Sequence, residues 1–174
     1  MCGITAGIAQ RDVGQVLLEG LKRLEYRGYD SAGLAVLSEN GTLERLRICG
    51  KVNQLQEAYN KDPLRGKLGV VHTRWATHGG VTEANAHPHT DCSGNIIIVH
   101  NGIVENFTEL KSVLQAKGHL FKSETDTEVI AHLLEELTKT HTLSEAVQEV
   151  FGKLHGLNAV LAINTTSPEI VAAK

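Results

Sequence analysis

Apolar and polar positions alternate along the chain in two different rhythms. Gly3–Ala9 is a short apolar run that predicts a buried strand beginning almost at the first residue. Val13, Val16, Leu17, Leu21 and Leu24 then recur at helical spacing, with Asp12 placed to cap and the helix stopping near Gly28. Leu34–Leu37 and Leu43–Ile48 read as strands around Glu39-Asn40-Gly41, where Asn-Gly tolerates the positive φ of a tight hairpin. Val52–Tyr59 predicts a short helix ending before Asp62-Pro63, and Gly69–His72 a strand. From Thr73 to Gly94 there is no periodicity. Ile96-Ile97-Ile98-Val99 is a β-branched run that predicts a buried strand ending at His100-Asn101-Gly102, with a helix over Glu105–Lys117 after it.

Two capping-box patterns follow. Thr125-x-x-Glu128 opens a helix through Val129, Ile130, Leu133, Leu134 and Leu137, and Thr142-x-x-Glu145 opens another through Leu154. Val160–Ile163 and Ile170–Ala173 read as closing strands, and because the chain stops inside the second, it reads as a fragment. No repeat, low-complexity tract or linker divides it. Strands and helices come in batches rather than strict βαβ alternation, which predicts an α+β fold with largely antiparallel sheets.

Composition narrows the class. The chain has 174 residues, 17 Lys+Arg against 20 Asp+Glu, a net charge of −3 and 41% apolar residues. That is one domain's length, able to bury roughly 70% of its unfolded surface, and too apolar for disorder. Nothing approaches the ~20 apolar residues of a membrane span, and scattered basic residues give no footprint for nucleic acid or lipid. The three cysteines, Cys2, Cys49 and Cys92, form no C-x-x-C pair and follow no secretory signal, so a reducing cytoplasm is expected.

Candidate chemistry begins at Cys2. Removal of Met1 would place a thiol of pKa about 8.5 and an α-amine of about 7.7–8.0 on one residue, the amine serving as a built-in base. Taken alone, Cys2 reads first as a small residue starting a strand. Asn101 offers an amide donor and Gly102 an approachable backbone N–H, two donors suited to an oxyanion, although alone the pair reads as a turn. Arg74, where a strand ends, can fork onto a carboxylate, and Trp75, Thr77 and His78 can line a pocket; in isolation they read as surface and core residues. Asp126 can hold an ammonium or simply face a helix dipole. His87 and His89 with Cys92 raise the question of a metal-dependent hydrolase. The stretch lacks H-E-x-x-H and paired C-x-x-C spacing, so a structural His-rich loop around Pro88 is the preferred reading, with Cys49 and Cys92 inert and no metal or other cofactor expected.

Together these signals resemble one family. Met1-Cys2-Gly3-Ile4, Arg23-Leu24-Glu25-Tyr26-Arg27-Gly28-Tyr29-Asp30-Ser31-Ala32-Gly33, Thr73 to Gly79, Asn85 to His89, His100-Asn101-Gly102 and Ser123 to Glu128 occur in that order. The set resembles the N-terminal glutaminase domain of the glucosamine-6-phosphate synthases (glutamine–fructose-6-phosphate aminotransferases, isomerising), which are class II glutamine amidotransferases. The resemblance spans essentially all of residues 1–174 and is densest to about 137. It implies a four-layer αββα N-terminal-nucleophile hydrolase sandwich, here lacking its C-terminal elements and the sugar-isomerase domains.

It also implies roles. Cys2 would be the nucleophile, Asn101 and Gly102 the oxyanion hole, and Arg27 and Gly28 the segment shaping the nucleophile's surroundings. Arg74 would hold the α-carboxylate of L-glutamine and Asp126 its α-ammonium, with Trp75, Thr77 and His78 lining the pocket. The ammonia would go to fructose 6-phosphate in a cytoplasmic, homo-oligomeric full-length enzyme. A glutamine-binding module without turnover is the other reading of the same pocket.

Overall fold

A computed structural model describes residues 2–174. β1 (Gly3–Ile8), β2 (Ser31–Leu37), β3 (Leu43–Cys49) and β4 (Leu68–Arg74) form one antiparallel sheet in the order β1-β4-β2-β3. β5 (His89–Thr90), β6 (Ile96–Gly102), β7 (Asn158–Asn164) and β8 (Ser167–Ala173) form a second, in the order β5-β6-β7-β8. Helices α1 (Gly14–Lys22) and α2 (Val52–Lys61) cover the first sheet. Helices α3 (Phe107–Ala116), α4 (Glu128–Leu137) and α5 (Leu143–Lys153) cover the second.

The period of two explains why four layers form. In β6, Ile96 and Ile98 pack toward α4 and α5, while Ile97 and Val99 pack into the space between the sheets. In β2, Ala32, Leu34 and Val36 face α1 and α2, while Ala35 and Leu37 face the other sheet. Each central strand is therefore buried on both faces, and the sandwich is the αββα arrangement expected. No helix among the described residues is long and apolar enough to cross a membrane.

Local signals succeeded unevenly. Thr142 caps α5, its hydroxyl accepting from the Glu145 N–H at 3.3 Å while the Glu145 carboxylate accepts from the Thr142 N–H at 2.9 Å. Gly41 turns the β2–β3 hairpin at φ 80°. The other predicted box does not form: α4 begins at Glu128, whose carboxylate reaches back to the N–H groups of Lys122 and Ser123 at 2.8 and 2.7 Å. Asp12 does not cap α1 either; it pairs with Arg65 at 3.1 Å, and Val13 holds the N-cap position. The α1 helix stops at Lys22, and a separate 3₁₀ turn over Glu25–Arg27 carries the chain to Gly28. The β6 strand does not end before His100 but runs through Gly102, because Asn101 and Gly102 pair with Ala159 and Asn158 of β7. β1 is half-buried at the edge of its sheet rather than enclosed.

Candidate active site

The layer between the sheets is aliphatic over most of its length and becomes polar at one end. Along β4 the inward positions run Leu68, Val70, His72 and Arg74, and along β6 they run Ile97, Val99 and Asn101. In β1 the inward Ala6 and Ile4 lead by the same alternation to Cys2. The strands thus bring Cys2, Arg74 and Asn101 to one end of the sandwich, where a cleft of about 680 Å³ opens. Arg27, Trp75, Thr77, Gly102 and Asp126 also line it.

Cys2 lies at the first position before β1, and its Sγ accepts the Trp75 N–H at 3.3 Å. Burial pushes the thiol above its ordinary pKa, partly opposed by that N–H and by nearby Arg74. At neutral pH the group is therefore a thiol rather than a thiolate, and it requires a base to react. Asn101 Nδ2 donates to the Cys2 carbonyl at 3.2 Å. Asn101 Oδ1 is held at 3.0 Å by His72 Nε2, so one side-chain amide joins the two sheets directly beside the thiol. Gly102 sits at φ 138°, and a Cβ there would lie 2.2 Å from the Leu157 carbonyl oxygen. Only glycine fits.

Arg74 is 4% exposed; its guanidinium donates to the carbonyls of His78 and, at 3.3 Å, of Gly80, leaving other N–H groups of the fork for a ligand. Asp126 is 3% exposed, with Oδ2 accepting the Val104 N–H at 2.7 Å and Oδ1 lying 3.8 Å from His78 Nδ1. An arginine and a carboxylate line one cleft with the thiol, an arrangement matched to a zwitterionic amino acid. Trp75 is half exposed at the rim with its ring 5.3 Å from Tyr29, rather than a core residue.

Two expected residues are not in the cleft wall. Gly28 packs beneath it: its carbonyl accepts the Thr73 hydroxyl, and a Cβ would come within 2.8 Å of the Arg74 carbonyl carbon. His78 stands behind Asp126, edge-on to Phe107 at 5.2 Å.

Three histidines have a place at the site that the sequence did not assign them. His72 is fully buried and stacks on His87 with ring centroids 4.1 Å apart, and the His100 N–H donates to His87 Nδ1 at 3.3 Å. His100 itself bonds Thr127 Oγ1 at 2.9 Å and Asn158 Oδ1 at 2.8 Å. Burial lowers the pKa of His72 to about 3 and lowers those of His87 and His100 too, so these rings stay neutral. A signal existed: His72 occupies the inward position two residues before Arg74, opposite Gly33, a strand glycine with no side chain.

Polar bonds order much of the aperiodic stretch. Arg47 donates to the Ala84 and Ala86 carbonyls at 3.1 and 3.0 Å, and Asn85 exchanges bonds with Glu124 at 2.9 and 3.0 Å. His87 and His89 do not converge with Cys92. They turn toward His72, Thr127 and Thr125, and Cys92 lies instead beside His119 and His132.

Residues 72–174 match the glutamine amidotransferase domain family. The chain belongs to that family. It is 54% identical over 174 residues, 99% of its length, to a glutamine–fructose-6-phosphate aminotransferase (isomerising) of Salmonella paratyphi A. It is 52% identical over 177 aligned positions to the enzyme of the same name from Pseudomonas putida. It spans only 28% and 29% of those two proteins. Among solved structures, glutamine phosphoribosylpyrophosphate amidotransferase from B. subtilis superposes with a TM-score of 0.77 at 26% identity, covering 94% of this chain and 35% of that one. The fold of this amidotransferase domain is thus the N-terminal-nucleophile sandwich implied by its motifs.

Proposed function

We propose that this amidotransferase domain hydrolyses the side-chain amide of L-glutamine on Cys2, releasing ammonia and glutamate. The observation that carries the reading is the convergence of the Cys2 thiol, the Asn101 amide and the buried Arg74 and Asp126 in one cleft.

Met1 lies outside the described residues, and its removal is part of the proposal. The freed α-amine accepts the Cys2 proton as sulfur attacks the amide carbon. Asn101 Nδ2 and the Gly102 N–H stabilise the oxyanion, each such donor contributing on the order of 3 kcal/mol. The tetrahedral intermediate collapses, the C–N bond breaks, and the ammonium returns its proton to the departing nitrogen as ammonia leaves. Water, deprotonated by the same amine, then cleaves the thioester to glutamate and restores the thiol. Arg74 holds the substrate α-carboxylate and Asp126 its α-ammonium, while Arg27, Trp75 and Thr77 shape the walls. Gly28 lets the 3₁₀ turn pack against the Arg74–Trp75 peptide that bonds Cys2, and His78 backs Asp126.

The relatives' name supports ammonia delivery to fructose 6-phosphate, with residues 1–174 as the glutaminase domain of a longer protein; that this protein is cytoplasmic and homo-oligomeric is a further part of the proposal. Intact-mass spectrometry after incubation with an electrophilic glutamine analogue tests the core of the reading. Loss of Met1 and a single adduct on Cys2, suppressed by excess glutamine, is expected; a label on Cys49 or Cys92 overturns it.

A further inference from the structure

A second cluster of chemically active side chains lies away from the cleft, and none of its members lines it. Cys92 comes from the loop between β5 and β6, His119 from the segment just after α3, and His132 and Glu135 from one face of α4. One donor atom from each converges on a common point, all within 4.8 Å of one another. The Nδ1 atoms of His119 and His132 are 3.3 Å apart, and Cys92 Sγ is 3.8 and 3.6 Å from them. Glu135 Oε2 lies 3.0 and 3.3 Å from the same two nitrogens.

These separations are the edges of a coordination tetrahedron. Bonds of about 2.3 Å to sulfur and about 2.0–2.1 Å to nitrogen at tetrahedral angles place N···N near ~3.3 Å and S···N near ~3.6 Å. The surroundings point the same way. His119 Nε2 lies 3.4 Å from Glu136 Oε1, and His132 Nε2 lies 3.6 Å from Glu128 Oε1. Each imidazole therefore has a carboxylate behind it, the arrangement that fixes the ring and raises its basicity toward a metal. The Leu120 N–H points at Cys92 Sγ from 3.4 Å, and Phe121 closes one side with its ring 4.5 Å from His132. Both histidines are buried while Cys92 is exposed, which gives an ion a path in.

The geometry points to a structural zinc-type site formed by Cys92, His119, His132 and Glu135. One thiolate, two neutral imidazoles and one carboxylate suit a borderline divalent ion such as Zn²⁺, not the all-oxygen shells of Ca²⁺ or Mg²⁺. Four protein ligands close the tetrahedron, so the site holds structure together instead of activating water. It pins the β5–β6 loop and the α3–α4 connection to α4, and the residues just before that helix, Thr125 to Thr127, line the glutamine cleft. Binding releases the Cys92 proton and adds its free energy to folding. The proposal departs from the expectation of no metal and shares only Cys92 with the trio considered from sequence. It stands independently of the glutaminase reading.

The test uses the untagged 174-residue chain and Co²⁺ as a spectroscopic probe, with Zn²⁺ for stoichiometry. One zinc per chain should survive dialysis, and Co²⁺ should give the intense visible bands of four-coordination plus a near-ultraviolet thiolate charge-transfer band. Cys92→Ser, a substitution at an exposed loop position, should abolish the charge-transfer band and weaken Co²⁺ binding at least tenfold. Cys2→Ser and Cys49→Ser should leave both signals in place. Zinc should raise the thermal midpoint of the parent chain by about 5 °C or more and not that of Cys92→Ser. Failure to retain zinc, or charge transfer that survives Cys92→Ser, overturns the site and leaves a metal-free hydrogen-bonded cluster.

Discussion

His72 and Asn101 bond across the two sheets at 3.0 Å, imidazole Nε2 to amide oxygen. Because burial keeps His72 neutral, its single N–H fixes which end of the Asn101 amide is oxygen and directs the NH₂ toward Cys2. His72 is thus a positioning residue for the oxyanion donor. His72→Leu removes the bond and lets the amide rotate, and kcat should fall about 10–100-fold, less than outright loss of the donor. KM should change little, and His72→Gln, which retains a donor, should recover part of the rate. Steady-state kinetics on both variants, with circular dichroism to confirm folding, decides it.

The same buried histidines make stability pH-dependent. An unfolded imidazole takes up its proton near 6.5, whereas folded His72 does so only near 3. The unfolded state therefore binds more protons below pH 6.5, and stability declines as pH falls toward 3. At pH 5 His72 alone accounts for about 2 kcal/mol of lost stability, and His87, His89 and His100 act in the same direction. Urea midpoints should be level from pH 8 to 7 and drop clearly by pH 5; His72→Leu should flatten that slope if it folds.

How much of this was legible depended on distance along the chain. Asn40-Gly41 and Thr142 with Glu145 act within a few residues, so hairpin and cap are where the pattern put them. Glu128 bears the same local pattern, but its carboxylate is drawn back to the N–H groups of Lys122 and Ser123, which the motif does not contain. Asp12 is drawn to Arg65 across 53 residues. The cleft residues were recognisable as chemical types because their motifs are contiguous. Their support was not: His72 becomes meaningful only once β4 and β6 are known to face each other. Cys92, His119 and His132 meet only when α4 is laid on the second sheet.

Gly102 carries a sharper prediction. Its φ of 138° and the 2.2 Å approach of the Leu157 carbonyl oxygen leave no room for a methyl group. Gly102→Ala must shift the end of β6 away from β7, moving the N–H proposed for the oxyanion. Loss of stability of about 1–3 kcal/mol and a fall in kcat of about 100-fold or more are expected. Gly118→Ala is the control: it shares the positive φ, at 95°, with nothing within 4 Å of its Cβ, and should show the strain without the kinetic loss.

Asp126 should act on binding rather than on chemistry. Asp126→Asn keeps an acceptor for the Val104 N–H but removes the charge facing the cleft. Losing one partner of a buried ion pair costs about 2–3 kcal/mol, which corresponds to about 30–150-fold in KM for glutamine. A glutamine analogue lacking the α-amino group should be equally poor for parent and variant. Equal discrimination against that analogue by both proteins would remove Asp126 from the ammonium site.

The final prediction concerns the base. Burial raises the Cys2 thiol, so the nucleophile needs proton removal even at slightly alkaline pH. A free Cys2 amine of pKa about 7.7–8.0 is the group proposed to do it, and kcat/KM should rise tenfold per pH unit below about 7.5 and level off near 8. Retaining Met1, or adding residues before it, converts that amine to a non-basic amide and fills the space beside the thiol. Activity should then drop at least about 100-fold, the scale of a lost general base, while melting temperature barely moves. Mass spectrometry defines the N-terminus of each preparation, and glutaminase assays across pH 6–9 compare them. Normal turnover by a chain shown to begin at Met1 would mean that the proton leaves the thiol by another route.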